Sequence, residues 1–534
     1  RRTYIDVLTK GYTDTTSFAG SSYYFYDLTA KTNYRINSKN QLYLSGYFGR
    51  DVFNFNSEDW GFNMNIPWGN ATGSLRWKRI LNSQLFMTNS LIFTDYEFSF
   101  NGKQELEDNP TTESSLFSGI RDWNFKTDFS YQPKGQIIKF GTNYVFHKFN
   151  PTSFSGTYDE FKLEEIIYHY AHEYAAYINQ EYDVANRLSY NLGIRYSGFI
   201  QVGPFDRHIK NDSGQIGQIS TDTIISYNKG DIVEKYGGFE PRLSMKYSIN
   251  EVSSLKLAFL KNYQYIHLTS LSTSSLPTDV WLPSSDIVRP QLGKQICIGY
   301  YRNFNDNIYE TSAEVYYKKM KNLVEYSENY IPGIAIGIGN IDNNLTFGDG
   351  ESYGLELFLK RDVSKRLNGT IGYTLSKTTR EFDELNNGNW FYAKYDRTHD
   401  LSIVMSYKLS DRLILAAIFE YKTGNSLTIP ESMYIVDGEL LTQWGNRNSY
   451  RMAPYHRMDL ALTWNSKNTR KNGSLKKYNS EWVLSIYNMY NRQNPYFIYF
   501  ETEGRLGGED PVQIKAQQVS LFPIIPSISW NFEF

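Results

Sequence analysis

At 534 residues with a formal net charge of −2, the chain is longer than an ordinary single domain and carries no basic field for nucleic acid. No run of about 18 apolar residues occurs in it, which excludes a transmembrane helix. The lone Cys297 excludes a disulfide within the chain. Aromatic residues reach 16%, with 45 tyrosines and 10 tryptophans. Amphipathic rings in that number suit the two interfaces of a membrane barrel, or a sugar-binding β surface.

Taken in order, the chain opens at Arg1 on residues 1–8, which already read as a strand in progress. An N-terminal portion is therefore expected to precede it. From residue 24 to 36 the even positions are Tyr24, Tyr26, Leu28, Ala30, Thr32, Tyr34 and Ile36, and the odd ones include Asp27, Lys31 and Arg35. That is the period-2 signature of a strand with two unlike faces. A turn at 37–40 returns the chain as a strand over 41–53. Residues 68–81 and 84–100 pair across Asn82-Ser83, and residues 117–131 and 137–149 pair across 133–136. Further tight turns fall at Ala185-Asn186, Asn250-Glu251, Asn305-Asp306, Ser364-Lys365 and Ser410-Asp411.

The alternate connections are long and polar: 54–67, 101–115, 150–165, 204–235, 268–290, 325–350, 379–396, 424–453 and 501–512. Short and long connections alternate until a longer, basic turn at 467–477. Roughly 20 strands of ~10–17 residues joined in this way predict an all-β fold, an antiparallel up-and-down transmembrane barrel. Stacked soluble sandwiches would show domain breaks every ~100 residues. Composition is uniform, so one barrel domain spans 1–534. An even strand number is expected, about 22 with a missing opening pair, and a barrel that wide is normally plugged. The last residues place Ile528, Trp530, Phe532 and Phe534 on one face and Ser527, Ser529, Asn531 and Glu533 on the other. That suits a strand with one face to lipid. Alone it also suits the edge of a soluble sandwich.

Several segments resemble the C-terminal barrel of TonB-dependent outer-membrane transporters. They are the SYGLEL stretch at 352–357, followed by 372–377; DRTHDL at 396–401; Tyr421 to Asn425, with its Y-x-T-G-N spacing; and the S-I-Y-N-M-Y-N run at 485–491 before a terminal Phe. The resemblance implies a 22-stranded barrel around an N-terminal plug domain, set in the outer membrane of a Gram-negative cell. Its long loops would be extracellular and its short turns periplasmic. It also implies ligand capture at the loops and gating of the plug by a TonB complex through a TonB box, with no covalent chemistry and no cofactor. Plug, TonB box and the first strand pair are expected to lie outside this sequence. The terminal segment, Trp530, Phe532 and Phe534, resembles the signal read by the barrel-assembly machinery.

No catalytic constellation stands out. His169 and His172 would share a helix face, but on a strand an odd spacing sets them on opposite faces, where they cannot chelate one ion. Cys297, within Gln295-Ile-Cys-Ile-Gly299, reads as a small structural residue. Residues 333–339 superficially resemble a phosphate loop but lack the following Lys and the strand-to-helix context. Residues 342–349 offer oxygen ligands without the spacing of a calcium loop. Lumenal charges such as Asp27, Lys31, Arg35, Glu356 and Lys360 solvate the lumen or line a route. For recognition at the barrel mouth the candidates are Trp281 with Asp286 and Arg289, and Trp390 and Trp444, whose rings can stack on a ligand. Asp396 and Arg397 read as residues that pin a strand start. Rival readings are a scaffold barrel that docks a surface lipoprotein or secretion partner, a passive porin, and a soluble carbohydrate-binding enzyme.

Overall fold

The computed structural model describes the chain except residues 1–21, 58–61, 105–111, 159–160, 166, 186, 211–220, 270–279, 329–340, 362–365, 437–438, 468, 470–473, 475–477, 505–511, 521 and 534. The predicted opening strand over 1–8, the 333–339 segment and Phe534 thus lie outside the described residues. Within them, one 21-stranded antiparallel sheet dominates. Two of its members, Phe161–Glu165 and Phe391–Tyr392, are short extensions, which leaves nineteen long strands.

In chain order the long strands are Ser22–Asn37, Asn40–Ser57, Phe62–Ile80, Leu85–Gln104, Thr112–Tyr131, Gln136–Tyr158, His169–Ala185, Leu188–Val202, Ile232–Ser248 and Ser253–Gln264. Then follow Gln291–Phe304, Tyr309–Tyr326, Leu345–Arg361, Leu367–Phe382, His399–Ser410, Leu413–Lys422, Tyr455–Asn465, Asn479–Tyr487 and Ile525–Glu533. Each pairs antiparallel with the next, which is the up-and-down order of a barrel.

The turns at one end are tight because asparagine side chains replace backbone partners there. Asn37 Oδ1 accepts from the Lys39 amide at 2.9 Å, Asn82 Oδ1 from the Gln84 and Leu85 amides at 2.9 Å, and Asn250 Oδ1 from the Val252 amide at 3.0 Å. Asn305, Asp306 and Asn307 run through the left-handed region at φ 52°, 53° and 64°, which Asn and Asp tolerate best after Gly.

At the other end the strands outrun their expected limits. Strands continue to Ser57, Gln104 and Tyr158 and resume at Phe62, Thr112 and His169, so much of what reads as polar loop is ladder. The longer connections carry hairpins of their own, among them Phe205–Lys210 with Thr221–Tyr227, Ile266–Thr269 with Val280–Pro283, Pro430–Val436 with Glu439–Trp444, and Pro495–Glu503 with Gln513–Ser520. Among the described residues the helices are two short 3₁₀ turns, Ile341–Asn344 and Asn386–Gly388.

Register makes the two faces continuous. Leu44 stands opposite Leu75, Leu75 opposite Leu91, Leu91 opposite Phe125 and Phe125 opposite Tyr144, forming one apolar row around the sheet. The intervening positions carry Ser45, Ser74, Lys126 and Asn143, the polar inner face. On the apolar face, near the long-connection end, three histidines each share a hydrogen bond with a tyrosine: His172 with Tyr144 at 2.7 Å, His399 with Tyr373 at 2.8 Å and His456 with Tyr490 at 2.8 Å. His169 lies on the opposite, inner face, buried beside Gln201 at 3.2 Å, as the odd spacing requires.

The final strand pairs with Asn479–Tyr487, with Trp530 opposite Trp482 and the two rings stacked at 5.9 Å. Buried apolar clusters collect at the long-connection end instead of along the wall. One joins Val280, Leu282, Val288, Tyr326 and Leu345; another joins Met320, Leu323, Phe382, Leu385 and Phe391. Gly424, inside the Y-x-T-G-N stretch, sits where a Cβ would collide with the carbonyl oxygen of Met452. The neighbouring Met452 amide donates to the Asn425 carbonyl at 3.0 Å, closing the neck of that connection.

Candidate functional site

The hairpins and 3₁₀ turns of the long connections form a rim, and buried ion pairs hold it together. Arg207, 3% exposed on the Phe205–Lys210 strand, donates from Nη1 to both oxygens of Asp342 at 2.9 and 2.8 Å and from Nη2 to Asp286. Ser285 Oγ donates to Asp342 at 3.0 Å, and the Tyr236 hydroxyl donates to the Ser285 carbonyl at 2.7 Å. Charges so deeply buried require partners, because an unpaired one would carry its full desolvation cost.

A second knot centres on Glu325, near the end of Tyr309–Tyr326. It receives Arg380 on one oxygen and Arg447, at 3.2 Å, on the other. Arg380 Nη2 also donates to the Tyr395 hydroxyl at 2.8 Å. In a third, Asp396 accepts the Thr378 amide at 2.5 Å and pairs with Arg451, which also donates to the Asp396 carbonyl at 3.0 Å. Asp396 therefore pins the entry to His399–Ser410, the role its position indicates.

The inner wall below the rim carries a chain of charge across five strands. His147 Nδ1 meets Asp122 at 2.7 Å and His147 Nε2 lies 3.7 Å from Glu173. Arg195 reaches Glu173 at 3.8 Å and Glu240 at 3.9 Å, and Arg242 reaches Glu240 at 3.5 Å. Ser197 Oγ donates to Glu240 at 2.5 Å and lies 2.8 Å from the Tyr265 hydroxyl, whose ring stacks on Phe199 at 5.4 Å. The wall thus carries charges of both signs, with aromatic rings beside them.

The sequence candidates fall on two adjoining arcs of the rim. Trp281 is half-buried in Val280–Pro283, opposite Leu268, and Asp286 and Arg289 follow it as exposed positions. Asp286 is engaged by Arg207, so its charge is matched within the protein. Trp390 is exposed beside the Asn386–Gly388 turn; Trp444 is exposed opposite Pro430, edge-on to Phe500 at 6.0 Å. The loops of these two tryptophans are tied, since Asn386 Oδ1 accepts the Arg447 amide at 3.0 Å and Asn448 Nδ2 donates to the Tyr392 carbonyl at 2.8 Å. The end of Tyr309–Tyr326 is the shared post of both arcs. Tyr326 packs on Val280, Leu282 and Val288, while Glu325 holds Arg447.

Sequence reasoning missed Arg207, Glu325, Arg380 and Arg447. Their oppositely charged partners lie between 55 and 135 residues away, and no local spacing announces them. Asp342, an oxygen donor in a candidate ion-binding stretch, is instead the partner of Arg207.

His267 lies fully buried at the base of a rim hairpin, 3.0 Å from Ser284 Oγ through Nε2, and accepts from Gln291 Nε2 at Nδ1 over 3.2 Å. Nδ1 as acceptor leaves the proton on Nε2 and the ring neutral. Burial pushes its pKa down to about 4.

Two outcomes are expected. Glu325→Gln leaves Arg380 and Arg447 without a counter-charge and should cost about 3–5 kcal/mol in urea unfolding of the reconstituted barrel; an unchanged midpoint would contradict the knot's structural role. For His267, the unfolded ring takes up a proton near pH 6.5 and the folded one only near 4. Its contribution is therefore complete above pH 6.5 and lost as pH falls towards 4, by up to about 3 kcal/mol. Hydrogen exchange at the Ser284 amide, which donates to the Tyr265 carbonyl at 2.8 Å, should quicken over that window beyond its intrinsic change, and His267→Asn should flatten the response.

The sequence matches the family model described as TonB dependent receptor-like, beta-barrel, over residues 3–491. No curated protein matches it. Among solved structures it is similar to the ferric-catecholate import receptor Fiu from E. coli K12 (12% identity, TM-score 0.58, 90% of this chain and 72% of that one). It is similar also to BauA, the ferric preacinetobactin receptor from Acinetobacter baumannii (10% identity, TM-score 0.58, 97% and 74%). A third is the ferripyoverdine receptor of the outer membrane of Pseudomonas aeruginosa (11% identity, TM-score 0.60, 89% and 62%). At these identities the likeness is one of fold, and the family match carries the assignment: this chain belongs to the TonB-dependent receptor-like β-barrels, receptors of the outer membrane that serve transport.

Proposed function

We propose that this barrel captures a nutrient ligand at its rim and admits it to a lumen gated by a plug domain, with energy drawn from a TonB complex. The long connections then face the cell exterior, the short turns face the periplasm, and the apolar outer face meets lipid. The observation that carries the reading is the rim itself, in a chain of this receptor family. It is a ring of loops cross-braced by buried ion pairs, with Trp281, Trp390 and Trp444 set on it, above an inner wall lined with charge. Trp390 and Trp444 are exposed rings on braced loops, so they offer stacking area at little ordering cost. Trp281, Asp286 and Arg289 form the other half of the mouth, where Asp286 and Arg289 supply polarity. No covalent chemistry is part of the mechanism.

The test is growth on a panel of limiting nutrients, metal chelates included, with the full-length receptor as the only route. Growth should fall when the TonB complex is uncoupled, and Trp390→Ala with Trp444→Ala should raise the concentration needed by about tenfold. Growth indifferent to uncoupling, with a dedicated lipoprotein bound, would establish the scaffold alternative. A large ungated conductance in a planar bilayer would establish a porin.

The terminal Trp530, Phe532 and Phe534 serve as the assembly signal in this reading. Deleting Phe534 should lower the yield of folded barrel in the membrane several-fold while leaving the ligand affinity of the remaining folded protein unchanged. Full membrane yield would rule the signal out.

A further inference from the structure

On the apolar face of the sheet, one step towards the rim from the belt, a row of lysines crosses neighbouring strands. Lys261 stands directly opposite Lys294, and Lys294 directly opposite Lys319. Lys321 follows two residues along, on the same face. The belt beneath is in equally strict register: Phe259 opposite Ile296, Ile296 opposite Tyr317, and Tyr317 opposite Tyr353. On all three strands the face changes from apolar to cationic within two residues, about 7 Å of rise.

Like charges opposite one another on one face repel. Lys294 and Lys319 are exposed, and among the described residues no carboxylate forms a salt bridge with any of the four lysines. Glu351, opposite Lys319, is engaged by the Tyr317 hydroxyl at 3.1 Å. Elsewhere on this face the protein neutralises its own cations: Arg121 lies 2.6 Å from Asp95, and Arg50 lies 3.4 Å from Glu97. The row between Ser253–Gln264 and Tyr309–Tyr326 differs in that Lys294 has a cation on both sides, Lys261 and Lys319, and Glu351 stands opposite Lys319 alone, which leaves the row short of counter-charge.

We propose that Lys261, Lys294, Lys319 and Lys321 bind the phosphate groups of lipid headgroups at the outer edge of the bilayer, with the acyl chains lying on the Phe259–Ile296–Tyr317 belt. A phosphate monoester supplies several acceptor oxygens and more than one negative charge, enough for adjacent ammonium groups that repel one another when bare. A zwitterionic headgroup brings its own cation and fits poorly. The proposal rests on the membrane placement given above.

The experiment uses the full-length barrel in phosphatidylcholine nanodiscs doped either with bisphosphorylated lipid A or with the same lipid stripped of both phosphates. Lipid retained after gentle detergent extraction is counted by native mass spectrometry. The wild type should retain the phosphorylated form about tenfold over the stripped form. Lys294→Gln with Lys319→Gln should bring that ratio close to one, while the barrel keeps its heat-modifiable folded band. Arg121→Gln, at a site already neutralised by Asp95, should leave the ratio within about twofold. Equal selectivity in the lysine double variant would overturn the proposal, as would displacement of the lipid by millimolar inorganic phosphate alone, which would mark a free-anion site. A wild-type barrel that folds but never enters the nanodisc would overturn the membrane placement itself, a failure separate from loss of selectivity.

Discussion

The constraint on which this molecule depends is the pairing of backbone N–H and C=O groups where no water can replace a missing partner. Every long strand after the first finds its ladder in the strand before it, from Ser22–Asn37 to Ile525–Glu533. Once that ladder exists, the period of two does the rest. Leu44, Leu75, Leu91, Phe125 and Tyr144 align outside because their partners align, and Lys126 and Asn143 align within. Packing between buried side chains, which dominates an ordinary core, is displaced to one end. There the strands outlive the apolar belt and the connections fold over.

At that end the stabilising interaction changes character. The rim relies on charge in small dry pockets: Arg207 between Asp286 and Asp342, Glu325 between Arg380 and Arg447, Asp396 against Arg451. Each pair contributes by geometry more than by net energy, because desolvation consumes much of the attraction. What they secure is position. Trp390 and Trp444 stand on loops whose feet are fixed to each other and to the wall.

Much of this was legible in the sequence, for physical reasons. Asn37, Asn82 and Asn250 announced their turns because their side chains cap them locally, and parity alone placed His169 and His172 on opposite faces. The strand extensions over 101–104 and 112–115 read as loop because ladder beyond the apolar belt needs no hydrophobic alternation. The rim pairs were illegible for another reason. Arg207 and Asp342 are 135 residues apart, and only the completed sheet brings them together. Asp286 was expected at the mouth with its charge on offer, but the chain could not reveal that Arg207 already claims that charge.

The three tyrosine–histidine pairs have a geometric consequence. Tyr144 with His172 lies far round the sheet from the other two, whereas His399 and His456 stand on the two strands that flank Leu413–Lys422, so the three pairs mark two sites. On the membrane placement proposed here, both sites stand at the waterline, and together they bear on the tilt of the barrel axis as well as its depth. Tipping the axis would drag one hydrogen-bonded imidazole into hydrocarbon while lifting another clear. The barrel is thus steadied along the line that joins the two sites, and rocking along that line would meet resistance.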